Sequence, residues 1–162
     1  MIVVPSGDRP LTGWRRRPAR PKLSSALVLT GSALLVWSAV LHLYLYSYYF
    51  HTVPTIGPLF IAQGAAGTVL AGVLVVSRKA VFALAAAALL ALTACALLFS
   101  VWFGLFGYHE RMSAPYTSES LGVEVAGAVV LAGAAALLAG HRTAQATELS
   151  RLAIRARRRS VK

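Results

Sequence analysis

The chain has 162 residues, of which 57% are hydrophobic and only 13% are charged. A soluble domain is about 45–50% apolar and about 25% charged, and it carries polar faces along its elements. Here the charged residues lie in short runs that alternate with long uncharged stretches. This pattern excludes an ordinary soluble domain and predicts a membrane protein.

The net charge of +11 raises the question of whether the protein binds nucleic acid. Nucleic-acid-binding proteins collect their basic residues on a folded surface or arm. In this chain the basic residues flank apolar stretches instead, as membrane orientation requires, so no nucleic-acid partner is predicted. Cys95 is the single cysteine, which excludes an intramolecular disulfide.

In chain order, a basic, proline-rich leader comes first (residues 1–22), and we expect it to be disordered. Four apolar stretches follow, each about as long as the 20 or so residues that a helix needs to cross a bilayer. A basic tail ends the chain (residues 141–162); either an interfacial helix on anionic lipid or a frayed tail would explain its composition. The pattern predicts an all-α, up-down, four-helix transmembrane bundle over 23–140, with helices at about 23–46, 58–76, 80–103 and 121–140.

The distribution of positive charge predicts the orientation of the bundle. Of the 16 lysines and arginines, all but Arg111 lie in the leader, between the second and third spans, or in the tail. These three segments share one side of a four-span protein. Because positively charged loops stay in the cytoplasm, both termini are expected to be cytoplasmic in a plasma membrane. The first apolar stretch exceeds the 7–15 residues or so of a signal-peptide core, which favours a retained helix over a cleaved one.

Small residues recur at every fourth position on two spans, where they allow helices to approach closely in lipid. They predict a tight bundle with little central volume, which disfavours a wide pore. Aromatic residues at the ends of the first and third spans, among them Phe50 and Tyr108, are typical of interfacial belts. The two small-residue stripes are Gly64, Thr68 and Gly72, and Ala128, Ala132 and Ala136.

Three polar residues lie at a similar predicted depth in different spans: His42, Gln63 and Glu124. With a rise of about 1.5 Å per residue, each lies roughly 5–8 Å below the outer interface, so the three side chains could meet. Ionisable groups inside a membrane are costly and suggest a function. We therefore expect a small outward-facing polar site for a metal ion, a quinone headgroup or a proton. Three further side chains in the outer loops could close over it: His51, His109 and Glu110.

Other interpretations of these residues stay open. None of them shows metal-ligand spacing such as HxxxH or HExxH, so neither a metal nor another cofactor is specified. His42 is the only histidine within a span, which argues against a two-histidine haem. The alternative to a ligand site is that these side chains reach the interface or stabilise packing through an interhelical hydrogen bond.

Two stretches of the sequence resemble a pattern found in other proteins: His42 to Tyr46 (HLYLY) and Val53 to Gln63 (VPTIGPLFIAQ). The chain resembles a family of small, uncharacterised four-helix integral membrane proteins of actinobacteria, which combine a histidine near the end of helix one with a PTIGPLF…Q entry to helix two. The resemblance implies a bacterial plasma-membrane location and no particular activity. The positions it singles out are His42, Pro54, Gly57 and Gln63.

Two functions remain as hypotheses. Because no catalytic motif is present, the first is a non-enzymatic accessory or scaffold component of an envelope or respiratory assembly, with a membrane-protein partner or a second copy of the chain. The second is a small redox- or ligand-binding membrane protein that uses His42, Gln63 and Glu124. A channel would need a continuous polar path, for which the spans have too few polar residues.

Overall fold

The structure is a computed structural model that describes the backbone of residues 20–160. The predicted leader therefore lies almost entirely outside the described residues. The described chain contains no β-strand, and its only strand-like pairing is an isolated bridge between Leu105 and Tyr108. The all-α prediction is thus confirmed. The elements are α1 (Arg20–Leu45), a π-helical turn (Tyr46–Phe50), α2 (Ile56–Ser77), α3 (Ala80–Trp102) and α4 (Thr117–Ser160).

All four α-helices are long and apolar enough to cross a membrane, as the sequence predicts. Their outer faces expose large apolar side chains along most of their length. A water-soluble bundle would bury such side chains, whereas lipid solvates them. These features are compatible with a multi-pass membrane protein. The four candidate spans are Lys22–Phe50, Ile56–Ser77, Ala80–Trp102 and Thr117–Ile154.

The ends of three helices differ from the predicted ones. The first span continues through a π-helical turn to Phe50 instead of ending near 46. α2 begins at Ile56, which puts Pro58 in its first turn, where a missing N–H costs nothing. α4 begins at Thr117 rather than near 121 and runs without a break to Ser160, so residues 141–160 continue a transmembrane helix.

The core contains one fully buried leucine from each helix: Leu35, Leu74, Leu90 and Leu131, all 0% exposed. α1 packs along both α2 and α4, and α4 packs along α3, whereas α2 and α3 touch less extensively. α1 therefore occupies a central position between two neighbours. The expectation of tight packing holds in this part of the bundle.

The predicted small-residue stripes are not the packing faces. On α2, Gly64 does contact α1, but Thr68 is exposed and a Cβ at Gly72 would meet nothing within 4 Å. On α4, Ala132 and Ala136 are exposed as well. The reason is geometric: with 3.6 residues per turn, a strict four-residue spacing drifts around the helix and leaves the contact. The buried faces instead combine spacings of three and four: Gly64, Gly67, Ala71 and Leu74 on α2, and Gly127, Leu131 and Ala134 on α4.

Candidate functional site

A cavity of about 210 Å³ lies where the C-terminal ends of α1 and α3 meet the N-terminal ends of α2 and α4. This cavity corrects the expectation that the bundle encloses little central volume. Small residues let the helices close around the leucine core, but at this end the helices present polar and aromatic side chains and are joined by longer loops. The polar side chains that line the cavity within the spans are His42, Tyr49, Gln63, Thr93, Ser100, Thr117, Ser120 and Glu124.

His42 and Glu124 form a buried pair across the contact between α1 and α4. His42 Nε2 lies 3.6 Å from Glu124 Oε1, and the two residues are 8% and 1% exposed. His42 Nδ1 lies 2.8 Å from the carbonyl oxygen of Ser38, which can only accept a hydrogen bond, so Nδ1 carries a proton. Nε2 and Oε1 then face each other as two acceptors unless a further proton is present. The 3.6 Å separation is too long for a hydrogen bond, so the two side chains form an electrostatic contact between α1 and α4.

Gln63, Ser120 and Glu124 itself have unused hydrogen-bonding capacity at the cavity. Gln63 is 6% exposed, and among the described residues neither its Nε2 nor its Oε1 has a hydrogen-bond partner. Glu124 Oε2 is likewise buried and unpartnered in the described part of the chain. Buried polar atoms without partners cost roughly 1–3 kcal/mol each. Since these atoms line a cavity, a molecule inside it that offers both donors and acceptors would recover this cost.

A row of stacked rings forms one wall of the cavity. The imidazole of His42 lies 4.9 Å from the ring of Phe60, and Phe60 lies 4.7 Å from Phe50. Tyr108 then meets Phe50 edge-on at 5.4 Å. Phe50 and Tyr108 are therefore turned inward, which corrects their assignment to an interfacial belt. Four other aromatic residues of the predicted belts are well exposed and fit it: Tyr48, Tyr49, Trp102 and Phe103.

The loop after α3 places Tyr108 through a tight turn. Leu105 and Tyr108 exchange two backbone hydrogen bonds of 2.8 and 2.9 Å around Phe106 and Gly107, whose φ angles are 52° and 80°. Positive φ at both central residues is characteristic of a type I′ turn, and glycine suits the second position. The hydroxyl of Ser100 donates to the carbonyl of Tyr108 at 3.2 Å and ties the turn back to α3.

Strained backbone flanks the cavity on two sides. Thr55, just before α2, has φ 70°, and Tyr116, just before α4, has φ 65°. A β-branched residue rarely adopts positive φ, and such strain persists only where the surrounding structure holds it. Next to Thr55, a Cβ at Gly57 would lie 2.6 Å from the carbonyl oxygen of Phe50, so this position needs glycine. The PTIGP segment thus sets the close approach between the π-helical turn and α2.

The structure separates the residues of the outer loops that the sequence grouped with the site. Glu110 lines the cavity, whereas His51 and His109 do not. The ring of His109 lies over Gly104 instead, and His51 is exposed. Burial, with the neighbouring Glu110 carboxylate, raises the pKa of Tyr108 above its ordinary value of 10.0. Among the side chains that the structure describes, no three of histidine, cysteine or acidic type come together as a metal site would require.

Several residues of the site give little signal in the sequence. In the sequence, Phe60 and Thr93 look like ordinary residues of a transmembrane span. Only the packing of α2 and α3 orients their side chains toward the cavity. Glu119 lies in the first turn of α4 and accepts a 3.2 Å hydrogen bond from Trp37 Nε1 on α1. A predicted helix start near 121 leaves Glu119 in the preceding loop. An acidic residue in a helix's first turn is favourable, and this preference could have moved the predicted start.

Comparison with protein-family models, with curated proteins and with solved structures yields no significant match for this chain.

Proposed function

We propose that this protein is a plasma-membrane protein that binds a small molecule in the cavity around His42, Gln63 and Glu124. The observation that carries the proposal is the unused hydrogen-bonding capacity of Gln63 and Glu124 Oε2 at a cavity. Packing alone does not explain this arrangement, since an interhelical hydrogen bond would have used these atoms. Ligand sites are typically apolar cavities with a few convergent polar groups.

The size and lining of the cavity limit what it can hold. An engineered apolar cavity of about 150 Å³ accommodates benzene. The 210 Å³ here suits a molecule somewhat larger than one aromatic ring. A quinone-like ring is within this range, whereas a metal ion has too few ligands among the described residues. A haem is far too large for this volume.

The orientation of the site follows from the charge distribution. We infer an up-down bundle with both termini in the cytoplasm, because Arg111 is the only basic residue on the other side. The cavity then faces the outside of the cell, and the basic end of α4 contacts anionic lipid of the inner leaflet.

Filling the cavity tests the proposal. Ala96 lines the cavity on α3, and Ala91 lies on the exposed face of the same helix. Ligand-observed NMR with single-ring solutes such as benzyl alcohol, on the full chain in nanodiscs, should show saturable binding to the wild type. We expect Ala96→Phe to abolish this binding and Ala91→Phe to retain it. Binding that survives Ala96→Phe, or no binding to the wild type, would reject the proposal.

A second candidate, an accessory component of a larger membrane assembly, is favoured by a groove between α1 and α2. This groove, of about 740 Å³, is lined by small and apolar side chains such as Ala33, Thr68 and Gly72. Small residues on an exposed helix face suit the close packing of a partner's transmembrane helix. If a helix packs there, Gly72→Leu should abolish copurification of one defined partner, whereas Gly122→Leu, at an open position on α4, should not.

A further inference from the structure

The chemistry of the cavity lining narrows the class of ligand, on the assumption that the proposed binding function is correct. We propose that the cavity binds a small organic cation: an ammonium group attached to a single ring or a comparable apolar group. Three features of the lining lead to this inference: its carboxyl groups, its aromatic wall and, among the described residues, its lack of lysine and arginine side chains.

The lining contains two acidic side chains, and its one basic side chain is the imidazole of His42. Glu124 lies at the bottom of the cavity and Glu110 lies in the loop beside it. Within the described residues, no lysine or arginine side chain lines the cavity, although the chain as a whole has a net charge of +11. Two carboxyl groups against one imidazole favour a negative potential in the cavity, which low-dielectric walls focus on the interior.

The buried carboxylate lacks a partner for one of its oxygens. His42 faces Glu124 Oε1, but Oε2 is buried and unpartnered among the described residues. A carboxylate buried this deeply is costly unless it is paired and hydrogen-bonded. An ammonium N–H donated to Oε2 supplies both the hydrogen bond and the counter-charge. The Gln63 amide oxygen is a second acceptor, also unpartnered, for another N–H of the same group.

The aromatic wall suits a cation for a separate reason. The rings of Phe60, Phe50 and Tyr108 form a contiguous wall of the same cavity as Glu124. A cation over the face of an aromatic ring is attracted by the ring's quadrupole, and this attraction grows when the site is desolvated. The rest of the lining is apolar and would receive the ligand's ring or alkyl part. A carboxylate facing aromatic rings is an arrangement that favours an ammonium over a neutral molecule of the same shape.

Two probes of the same shape separate the cation from its neutral counterpart. Benzylammonium and benzyl alcohol have the same number of non-hydrogen atoms, and both fit the cavity by volume. Equilibrium dialysis of the labelled probes against the full chain in nanodiscs, with empty nanodiscs as the blank, measures both affinities. We expect benzylammonium to bind about tenfold more tightly than benzyl alcohol, an order of magnitude consistent with a desolvated cation–π contact and a charge-assisted hydrogen bond.

Variants then assign the preference to the proposed groups. Glu124→Gln keeps the shape of the side chain and removes its charge, so it should abolish the preference by weakening benzylammonium about tenfold more than it weakens benzyl alcohol. Glu119→Gln removes the same charge from the same helix outside the cavity lining and should change neither. Phe60→Leu removes a ring while keeping an apolar side chain, and should weaken benzylammonium several-fold. It provides an independent test if Glu124→Gln fails to fold.

The outcomes distinguish the two proposals. If benzyl alcohol binds as tightly as benzylammonium, or if Glu124→Gln and Phe60→Leu leave the preference intact, the cation inference is wrong and the binding function stands. If neither probe binds the wild type, the proposed binding function fails as well.

Discussion

Replacing one member of the His42–Glu124 pair by leucine is expected to destabilise the bundle by about 3 kcal/mol, because the other member is left buried and unpaired. The two groups lie 3.6 Å apart, and Glu124 is only 1% exposed. Breaking a buried pair costs about 3–5 kcal/mol. We take the lower end of this range because the adjacent cavity can admit water to the remaining group.

The double variant His42→Leu/Glu124→Leu should recover most of this loss. It leaves no unpaired group, and apolar residues that replace a buried pair are often neutral. We expect its stability to lie within about 1 kcal/mol of the wild type, and hence a coupling energy of about 5 kcal/mol in the double-mutant cycle. Reversible unfolding in mixed micelles, followed by circular dichroism, measures the four free energies.

Trp37 and Glu119 provide a matched control for this cycle. They also join α1 to α4, through a 3.2 Å hydrogen bond, but both are exposed. Removing them singly and together should give a coupling below about 1 kcal/mol, as expected for an ordinary hydrogen bond. Additive losses at His42 and Glu124, or a coupling no larger than that of the control, would refute the reasoning.

Three further predictions concern packing, titration and topology. Gly31→Ala should destabilise the bundle by about 1–2 kcal/mol, because its Cβ would lie 2.6 Å from Cδ2 of a buried leucine; Gly72→Ala, in open space, should be neutral or slightly stabilising in the same unfolding assay. Tyr108 should ionise above pH 10.0 in a ¹³C NMR titration, and Glu110→Gln should lower its pKa only part of the way, since burial is the larger cause. In a background without the native cysteine, Ser113→Cys should react with an impermeant maleimide added outside intact cells; labelling only after lysis would contradict the proposed orientation.

The helices could be predicted from the sequence because lipid imposes a simple rule. Peptide groups in hydrocarbon must bond within their own helix, so long uncharged stretches have one available structure. The ends were less certain, because Phe50 and Thr117 lie where the environment changes from lipid to loop. There, the tertiary contacts of Phe50 with Phe60 and Tyr108 fix the geometry, and these contacts have no signature in the local sequence.

The candidate site was predictable in part, for the same reason. His42, Gln63 and Glu124 stand out as polar residues in apolar stretches, and counting residues from the span ends puts them at one level. The aromatic wall was not predictable, because an aromatic residue at a helix end suits either an interfacial belt or a cavity. Only the inward turn of Phe50 and Tyr108 decides between the two. The packing faces were missed because helix periodicity alone does not say which face meets a neighbour.

The length of α4 has a mechanical consequence. Its 44 residues extend over about 66 Å, roughly twice the hydrocarbon thickness of a bilayer. Glu124 lies in the second turn of this helix, so a single rigid rod connects the cavity to the region beyond the opposite membrane face. A tilt of about 10° about the midpoint of the rod would displace each end by roughly 6 Å, about one helical turn. Any force on the arginine-rich end of this rod therefore acts, without an intervening hinge loop, on the position of the Glu124 carboxyl group.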